Sequence, residues 1–390
     1  MDWLARARSV SEEVVSLRRD LHAHPEPSFE ERRTSEVVAK RLEALGLRPR
    51  RVGATGVLAD LEVPGAPRRI ALRADMDALR MPDGCATPWA SRNEGVAHAC
   101  GHDAHTAMLL GAASLLAGEK PRLRSSVRFL FQHAEERFPG GAIDFVKEGA
   151  LEGVAAVYGL HVLGDLEAGQ VSATAGSVLA SADEFAIRLR GRGGHAAAPH
   201  LARDPIPPAA ELVGALQTIV SRRTDPFTPA AVSVCSFHGG TAFNVIPEVV
   251  ELLGTARALD PALRESLEAW IRETAEGIAA AHGLAAEIAY ERGYPVTVND
   301  REEVEKVRAV AAALFGEGAV VREPRRVLGA EDFSRYLERV PGAFVFLGTR
   351  NEAAGIRAPN HHPAFGVDEG VLSSGVALLC ALVEPPGRAS

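Results

Sequence analysis

The sequence lacks long apolar segments. None of its 390 residues belongs to an uninterrupted apolar run approaching ~18 residues, and its first residues contain no apolar core of signal-peptide length. Basic clusters are lacking as well, because no Lys/Arg-rich segment stands out and the formal net charge is -8. We therefore expect a cytoplasmic protein that has neither a membrane nor a nucleic acid as a partner.

Cysteine is also scarce. The four cysteines are scattered along the chain, which argues against a disulfide framework; they are Cys85, Cys100, Cys235 and Cys380. Only Cys100 lies among residues that suggest chemistry. We expect the other three to be small buried hydrophobic residues.

The length of the chain predicts more than one domain. Helical and strand patterns alternate up to His161, which indicates an α/β layered domain. From about Ser181 the order becomes βαββαβ, the pattern of a ferredoxin-like unit, and α/β character resumes after it. We predict a discontinuous larger domain at residues 1–179 and 292–390, and an inserted domain at residues 180–291.

Two strands of the larger domain have a short connection between them. Residues 56–63 and 69–76 are apolar strands, and the intervening Pro64-Gly65 predicts a hairpin or a tight connection.

The most informative segment is His98–His105, HACGHDAH, which places three histidines, a cysteine and an aspartate within eight residues. If the backbone is extended or looped, Cys100 and His102 point to the same side and can share a metal ion. If it is helical, His98 pairs with His102, or His102 with His105. The spacing predicts a metal site and leaves its exact ligands open.

Further candidate ligands follow two apolar strands. Residues 126–136 have the pattern of an apolar strand that ends in two adjacent carboxylates, Glu135 and Glu136, and the apolar run 154–162 carries His161 near its end. Reactive groups of parallel α/β sheets gather at the carboxyl ends of strands. A further pair, His361 and His362, precedes a predicted helix near the C-terminus.

Taken together, these motifs resemble the metallopeptidase family that includes aminoacylases, hippurate hydrolases and the amidohydrolases of indole-acetyl amino acids. The matching segments occur in order along nearly the whole chain: RRDLHAHPEPSFEE from Arg18, ALRADMDAL from Ala71, HACGHDAHTAMLLGAA from His98, AEE from Ala134, GLHV from Gly159, GRGGHAAAPH from Gly191, FNVIPE from Phe243, GTAR from Gly254, GAEDF from Gly329 and HHPAFGVDE from His361.

The resemblance implies a zinc-peptidase-like catalytic domain with a site for two divalent metal ions. It also implies that the inserted α+β domain serves as a lid and forms a homodimer or homotetramer. Five positions match the family's metal ligands: Cys100, His102, Glu136, His161 and His361. Glu135 matches the family's general base.

Other positions match residues that surround the reaction in the family. Asp75 resembles a carboxylate that fixes a ligand imidazole, although an aspartate at a strand end is equally expected as a solvated or capping residue. His195 matches a residue that hydrogen-bonds the developing oxyanion in the partner subunit, or it is a loop histidine on a glycine-rich turn. Asn244 and Arg257 match the positions that hold a substrate carboxylate, and a cross-strand ion pair is the alternative for Arg257.

Three features depart from the family pattern. His133 stands where relatives commonly have proline, and it lies either near the metals or on the far face of its strand. The loop after RADMDAL continues with Arg80-Met81-Pro82, whereas many relatives have proline directly after this motif. In the HHP segment either histidine can be the ligand, and the spacing to Pro363 favours His361.

We therefore expect an amidohydrolase that cleaves N-acyl-L-amino acids, with acetyl, benzoyl or a similar aromatic acyl group, to a carboxylic acid and a free amino acid. A dipeptidase or carboxypeptidase with the same two-metal site is the alternative. A non-catalytic metal-binding protein would be expected to lack a ligand or Glu135, and none is missing. The cysteine ligand favours zinc, while manganese, cobalt and nickel also suit the donor set.

Overall fold

The computed structural model describes residues 1–323 and 325–385. Its α-helices, numbered in chain order, are α1 (Trp3–Ser9), α2 (Ser11–Ala23), α3 (Arg32–Ala44), α4 (His102–Gly118), α5 (Ala142–Lys147), α6 (Ile206–Thr218), α7 (Pro261–Ala281), α8 (Arg301–Phe315), α9 (Ser334–Leu337) and α10 (Leu372–Val383).

The strands are β1 (Arg50–Val52), β2 (Gly56–Leu61), β3 (Arg69–Asp75), β4 (Ser126–Gln132), β5 (Val154–Glu167), β6 (Val171–Ser172), β7 (Gly176–Leu179), β8 (Ala182–Arg190), β9 (Gly194–His195), β10 (Ala230–Gly239), β11 (Val245–Ile246), β12 (Val249–Ala258), β13 (Ala285–Tyr294), β14 (Thr297–Asn299), β15 (Val320–Val321) and β16 (Gly342–Arg350).

The larger of two compact units comprises the described parts of Met1–Gly176, Val298–Arg325 and Asp332–Ser390. Within these residues, eight strands form one sheet in the order β1-β2-β4-β3-β5-β16-β6-β15. The central strands β4, β3, β5 and β16 are parallel to one another. The predicted α/β fold is therefore confirmed, and the carboxyl ends of these strands lie along one edge of the sheet.

A buried helix layer covers this sheet. Helix α4 packs against β3 and against α2 and α10, and α1 packs on α10. Small and apolar side chains let α4 be enclosed on nearly every side, and Ala107, Met108 and Ala112 are fully buried. Because α4 begins at His102, this packing fixes the position of the HACGHDAH segment.

At Pro64-Gly65 the structure has the second of the two predicted alternatives, a tight connection, and not a hairpin. The connection is tight, with the Ala66 N–H donating to the Val63 carbonyl at 3.1 Å, but β2 and β3 do not pair. Strand β4 lies between them, antiparallel to β2 and parallel to β3. All seven residues of β4 are buried, as expected for a strand with neighbours on both sides. A local turn signal could not reveal that a later strand inserts there.

Strand β5 is longer than predicted. It continues beyond Val162 to Glu167, so His161 lies within the strand and not at its end. The added segment alternates between buried and exposed residues, with Leu166 inside and Asp165 outside. The uniform apolar run in the sequence covers only the part of the strand that is buried on both faces.

The smaller unit comprises Ser177–Thr297 and Arg326–Glu331. Its long elements follow the predicted order β8, α6, β10, β12, α7, β13, and they form an antiparallel sheet in the order β10-β12-β8-β13. This is the ferredoxin-like arrangement of strands. Helices α6 and α7 pack on each other and on this sheet.

Three segments of the smaller unit were assigned differently from sequence. The prediction placed 177–179, 292–297 and 326–331 in the larger domain, whereas the structure groups these residues with the smaller unit. The Ala180 N–H donates to the Gly329 carbonyl at 2.8 Å, and Val327 bridges to Leu179. Such contacts join residues that are distant in sequence, so sequence periodicity did not show them. Among the described residues, no helix combines the length and apolarity that crossing a membrane requires.

The smaller unit offers a matched test of its core. Leu252 on β12 is fully buried beside Ile187 of β8, while the next residue, Leu253, is 40% exposed on the other face. We expect Leu252→Ala to lower the free energy of unfolding of this unit by about 2–5 kcal/mol, and Leu253→Ala to change it by less than about 0.5 kcal/mol. Denaturant unfolding followed by circular dichroism measures both. Equal losses in the two variants would contradict this assignment of the core face.

Candidate metal centre

Cys100 and His102 come together at the start of α4. Cys100 lies in the preceding loop, and His102 is the first residue of the helix, so the looped geometry holds for Cys100. Gly101 between them has φ +90°, and a side chain there would meet Val162 Cγ2 at 2.2 Å. Only glycine fits this turn, and both ligand candidates therefore depend on it.

Glu135 and Glu136 reach one site because the chain leaves strand geometry after β4. Neighbouring residues of a regular strand point to opposite sides. Strand β4 ends at Gln132, and Ala134 adopts φ +52°, an uncommon value for a residue with a side chain. Potential ligand atoms of both carboxylates lie within 4.8 Å of each other and of His102.

A buried carboxylate holds this turn. Glu31, fully buried at the start of α3, accepts a hydrogen bond from the Ala134 N–H at 2.7 Å, and Thr55 donates to its other oxygen at 2.5 Å. Burial and the nearby charge of Asp77 raise the pKa of Glu31 to about 7. Glu31 therefore belongs to the frame that aims Glu135 and Glu136.

His161 and His361 complete the constellation. The Nδ1 of His161 lies 2.7 Å from the carbonyl of Val162 and donates to it, which leaves Nε2 to face the Cys100 sulfur at 3.4 Å. His361 has φ +66°, and its N–H donates to the Ala99 carbonyl at 2.8 Å. This strained residue stays in place because its loop is bonded to the segment that carries Cys100.

Donor atoms from all five candidate ligands form overlapping groups. Cys100, His102 and His161 form one group, and Cys100, Glu136 and His361 form another, each with ligand atoms within 4.8 Å of one another. Glu136 Oε1 lies 3.1 Å from His361 Nε2 and 3.9 Å from His102 Nε2. Two groups that share Cys100 are the arrangement expected of neighbouring metal positions.

Asp77 fixes the imidazole of His102. Its Oδ1 lies 3.1 Å from His102 Nδ1, and its Oδ2 accepts from the Glu136 N–H at 2.9 Å and from the Ser28 hydroxyl at 2.7 Å. The sequence suggested Asp75 for a role of this kind. A carboxylate behind a ligand imidazole sets its tautomer and leaves the other nitrogen for a metal.

Asp75 instead belongs to a buried network beside the site. It accepts from His105 Nδ1 at 2.5 Å and from Arg73 at 2.6 Å, and its Oδ2 lies 3.7 Å from His102 Nε2. His105 Nε2 accepts from the Val162 N–H at 2.8 Å, so both of its nitrogens are engaged. His105 thereby holds β5, the strand that carries His161, in position through the Val162 N–H.

The electrostatics of the site favour a cation. Burial opposes protonation of His102, but the carboxylates of Asp75, Asp77 and Glu136 outweigh it and raise its pKa to about 10. Burial, with the neighbouring charge of His105, holds the pKa of His161 well below its usual value, so this imidazole is neutral. His102 Nε2 has no hydrogen-bond partner among the described residues. Cationic charge is therefore accommodated where these side chains converge.

Asn360 was missed by sequence reasoning. Its side-chain amide donates to the carbonyls of Cys100 and Val162, each at 3.1 Å, and its oxygen accepts from the Gly164 N–H at 3.0 Å. It thus joins the loop of His361 to the segments that carry Cys100 and His161. The sequence held no signal for this role beyond the position of Asn360 next to the HHP segment.

Two further histidines considered from sequence, His133 and His362, have other contacts. His133 is buried on the side of Asp144, with Nε2 at 3.3 Å from that carboxylate, and its ring contacts Phe29 and Phe145. It does not belong to the two ligand groups described above. His362 is exposed, and its Nδ1 accepts from the Ala364 N–H at 3.0 Å. The geometry therefore favours His361 over His362 as the ligand.

His195, Asn244 and Arg257 all lie in the smaller unit. His195 pairs with Val245 in the two-stranded antiparallel sheet of β9 and β11, and the Ala196 N–H donates to the Asn244 carbonyl at 3.1 Å, so the segments of His195 and Asn244 are neighbours. Arg257 is half-buried on β12, and burial lowers its pKa despite nearby Asp183. Arg257 forms no ion pair with the residues that the structure describes.

The expectation for the other cysteines is only partly correct. Cys380 is buried, but Cys85 is partly exposed and Cys235 is exposed. Cys235 lies in the middle of β10, an edge strand of its sheet, and Cys85 lies in the loop that follows β3. The sequence alone did not show that Cys85 and Cys235 lie outside the hydrophobic core.

Comparison with known proteins agrees with this geometry. Residues 71–384 match the model of peptidase family M20/M25/M40. The chain belongs to this family. It is 44% identical over 291 residues to an N-acyl-L-amino acid amidohydrolase of Geobacillus stearothermophilus, covering 74% of this chain and 79% of that protein. It is 38% identical over 380 residues to thermostable carboxypeptidase 1 of Saccharolobus solfataricus, covering 96% and 95%.

A solved structure of the same family is also similar. The YXEP protein of Bacillus subtilis, described as a dinuclear metal-binding peptidase from the M20 family, superposes with a TM-score of 0.84 at 34% identity, covering 96% of this chain and 98% of that one. As an M20 family member, the chain is a hydrolase that acts on amide bonds. The donor set of one thiolate, three imidazoles and a carboxylate, with the unpartnered His102 Nε2, fits divalent metals.

The buried Glu31 predicts a pH dependence of stability in the metal-free protein. Its folded-state pKa of about 7 lies above the ordinary 4.5, so its contribution is fully present below pH 4.5 and is lost as the pH rises to about 7. Glu31→Gln should remove this loss, which amounts to about 3 kcal/mol. Chemical denaturation between pH 5 and 8, with the exposed-residue variant Glu43→Gln as control, measures it. An unchanged pH slope in Glu31→Gln would refute the assignment.

Proposed function

We propose that this M20 hydrolase is a metal-dependent amidohydrolase that cleaves N-acyl-L-amino acids, with acetyl, benzoyl or a similar aromatic acyl group, to a carboxylic acid and a free amino acid. The observation that carries the proposal is the convergence of Cys100, His102, Glu136, His161 and His361 beside Glu135. The 44% identity to an N-acyl-L-amino acid amidohydrolase supports the substrate class.

The five ligands would hold two divalent ions, with zinc favoured by the thiolate and manganese, cobalt or nickel compatible with the other donors. Bound there, the ions would supply Lewis acidity for the scissile carbonyl and lower the pKa of water. Asp77 keeps His102 in the tautomer that presents Nε2, and the Val162 carbonyl does the same for His161.

Glu135 would move the proton. After the Ala134 turn, the Glu135 carboxylate lies in the same group as His102 and Glu136. Glu136 is a ligand in this proposal, which leaves Glu135 for proton transfer. Glu135 would therefore accept a proton from the attacking water and return it to the nitrogen of the leaving amino acid. General acid–base transfer of this kind contributes typically ~10²–10⁴-fold to rate.

We propose that the smaller unit, residues 180–291 in the sequence-based division, covers the substrate and mediates assembly into a homodimer or homotetramer. In this proposal His195 hydrogen-bonds the developing oxyanion in the active site of the partner subunit, and Asn244 and Arg257 hold the substrate carboxylate. The half-buried guanidinium of Arg257 has a planar fork that suits a carboxylate. The hydrogen bond from the Ala196 N–H to the Asn244 carbonyl supports a shared role, because it holds the segments of His195 and Asn244 together.

A dipeptidase or carboxypeptidase is the second candidate. The 38% identity to a carboxypeptidase over nearly the full chain favours it. The same metal chemistry serves both reactions, so the difference lies in whether the pocket accepts an acyl group or a free ammonium on the amine-side residue of the substrate.

A substrate panel tests the proposed function. We expect metal-reconstituted protein to release free amino acid from N-acetyl and N-benzoyl amino acids faster than from plain dipeptides, and chelator to abolish the release because the ligands then lack their ions. N-acyl amino acid carboxamides should react slowly, since they lack the carboxylate assigned to Asn244 and Arg257. Amino acid analysis of the products measures all three classes. Preference for dipeptides would move the assignment to peptidase.

The role of Glu135 has a direct test. Glu135→Gln should lower kcat by about 10²–10⁴-fold and leave metal content unchanged, because it removes the base and no ligand. Glu136→Gln is the matched control, and it should lower the metal content measured by mass spectrometry. Full activity of Glu135→Gln would disprove the assignment.

A further inference from the structure

A second cluster of metal-binding side chains lies in the larger unit, outside the ligands described above. Potential ligand atoms of His22, Asp83 and Cys85 lie within 4.8 Å of one another. His22 is near the end of α2, and the other two are in the loop that follows β3. An imidazole, a carboxylate and a thiolate together are a donor set for a zinc-like cation.

His22 is arranged as a metal-binding histidine is. Its Nδ1 lies 2.8 Å from Asp103 Oδ2, and Arg18 Nε is 2.8 Å from the same oxygen. The other nitrogen, Nε2, faces Asp83 Oδ2 at 3.5 Å. A carboxylate behind Nδ1 with Nε2 directed at other ligands is the arrangement that Asp77 and His102 show in the first site.

The other two donors are held in place. Asp83 accepts from the Cys85 N–H at 2.8 Å through Oδ1 and from the Ser91 N–H at 2.7 Å through Oδ2. The Cys85 thiol donates to the Phe365 carbonyl at 2.9 Å, and this bond would break when the sulfur binds a cation as a thiolate. Cys85 is partly exposed, which gives a cation access from solvent. Each carboxylate oxygen retains a lone pair for a further contact.

A buried imidazole next to the cluster has no partner among the described residues. Both ring nitrogens of His98 lack a hydrogen bond, and the residue is 2% exposed. Its ring centroid is 6.3 Å from that of His22. Buried polar groups are rarely left unsatisfied, so the unpartnered His98 shows that the surroundings of His22 have polar binding capacity that the described residues do not use.

We propose that His22, Asp83 and Cys85 bind a further divalent cation of the zinc class, distinct from the two ions proposed for the first site. The cation would join α2 to the loop whose far end carries Cys100, so its role is structural. The site shares no ligand with the first site and does not rest on the proposed function. Without a cation, the same contacts would form an ion pair between protonated His22 and the carboxylates of Asp83 and Asp103.

Cobalt substitution distinguishes the two arrangements. In Cys100→Ser protein the first site has no thiolate, so thiolate-to-cobalt(II) absorption can arise only at another cysteine. We expect Cys100→Ser to retain such a band, Cys100→Ser/Cys85→Ala to lose it, and Cys100→Ser/Cys235→Ala to keep it. Absence of the band in Cys100→Ser protein would overturn the proposal and leave the ion pair.

Metal counting provides a second measurement on the complete protein. Zinc-loaded, gel-filtered wild type should contain one more equivalent per chain than Cys85→Ala, and Asp83→Asn should show the same deficit. Cys235→Ala is the control and should match the wild type. Equal zinc content in wild type and Cys85→Ala would contradict the proposal. Glu136→Gln should instead lose zinc from the first site alone, and its result bears only on the proposed function.

Discussion

The carboxylate of Asp77 is the interaction on which the rest of the centre depends. It contacts the imidazole of His102 at the start of α4, the backbone of Glu136 after β4, and the hydroxyl of Ser28. Three segments far apart in sequence are thus fixed by one fully buried side chain at the end of β3. A buried carboxylate is stable only when its oxygens are satisfied, so the fold and the site constrain each other at this point.

Two residues near the candidate ligands have backbone conformations that are unfavourable in isolation, and these conformations also help to fix the site. Ala134 and His361 both have positive φ, and each is held by a hydrogen bond from its own N–H: to the Glu31 carboxylate in one case and to the Ala99 carbonyl in the other. Such strain persists only where the surroundings over-determine it. Here it turns Glu135, Glu136 and His361 toward shared neighbours, which regular strand or loop geometry would not do.

Much of this could be predicted from the sequence, because spacing and periodicity are local properties. The HACGHDAH segment, the strand before Glu135 and the βαββαβ order are each visible within a few dozen residues. The sequence could not predict whether Asp75 or Asp77 contacts His102. Residues two positions apart in an extended chain point to the same side, so only the position of α4 decides which carboxylate meets this imidazole. The insertion of β4 between β2 and β3 and the bonds of Asn360 likewise depend on long-range contacts.

The five candidate ligands are spread from Cys100 to His361, on separate strands and loops of one unit. No short stretch of an unfolded chain offers this set, so cations that occupy it would select the folded state by mass action. Each tenfold rise in free cation above its dissociation constant would then stabilise the unit by about 1.4 kcal/mol per ion. The thermal midpoint of this unit would accordingly report the metal supply of its surroundings as well as the quality of its core.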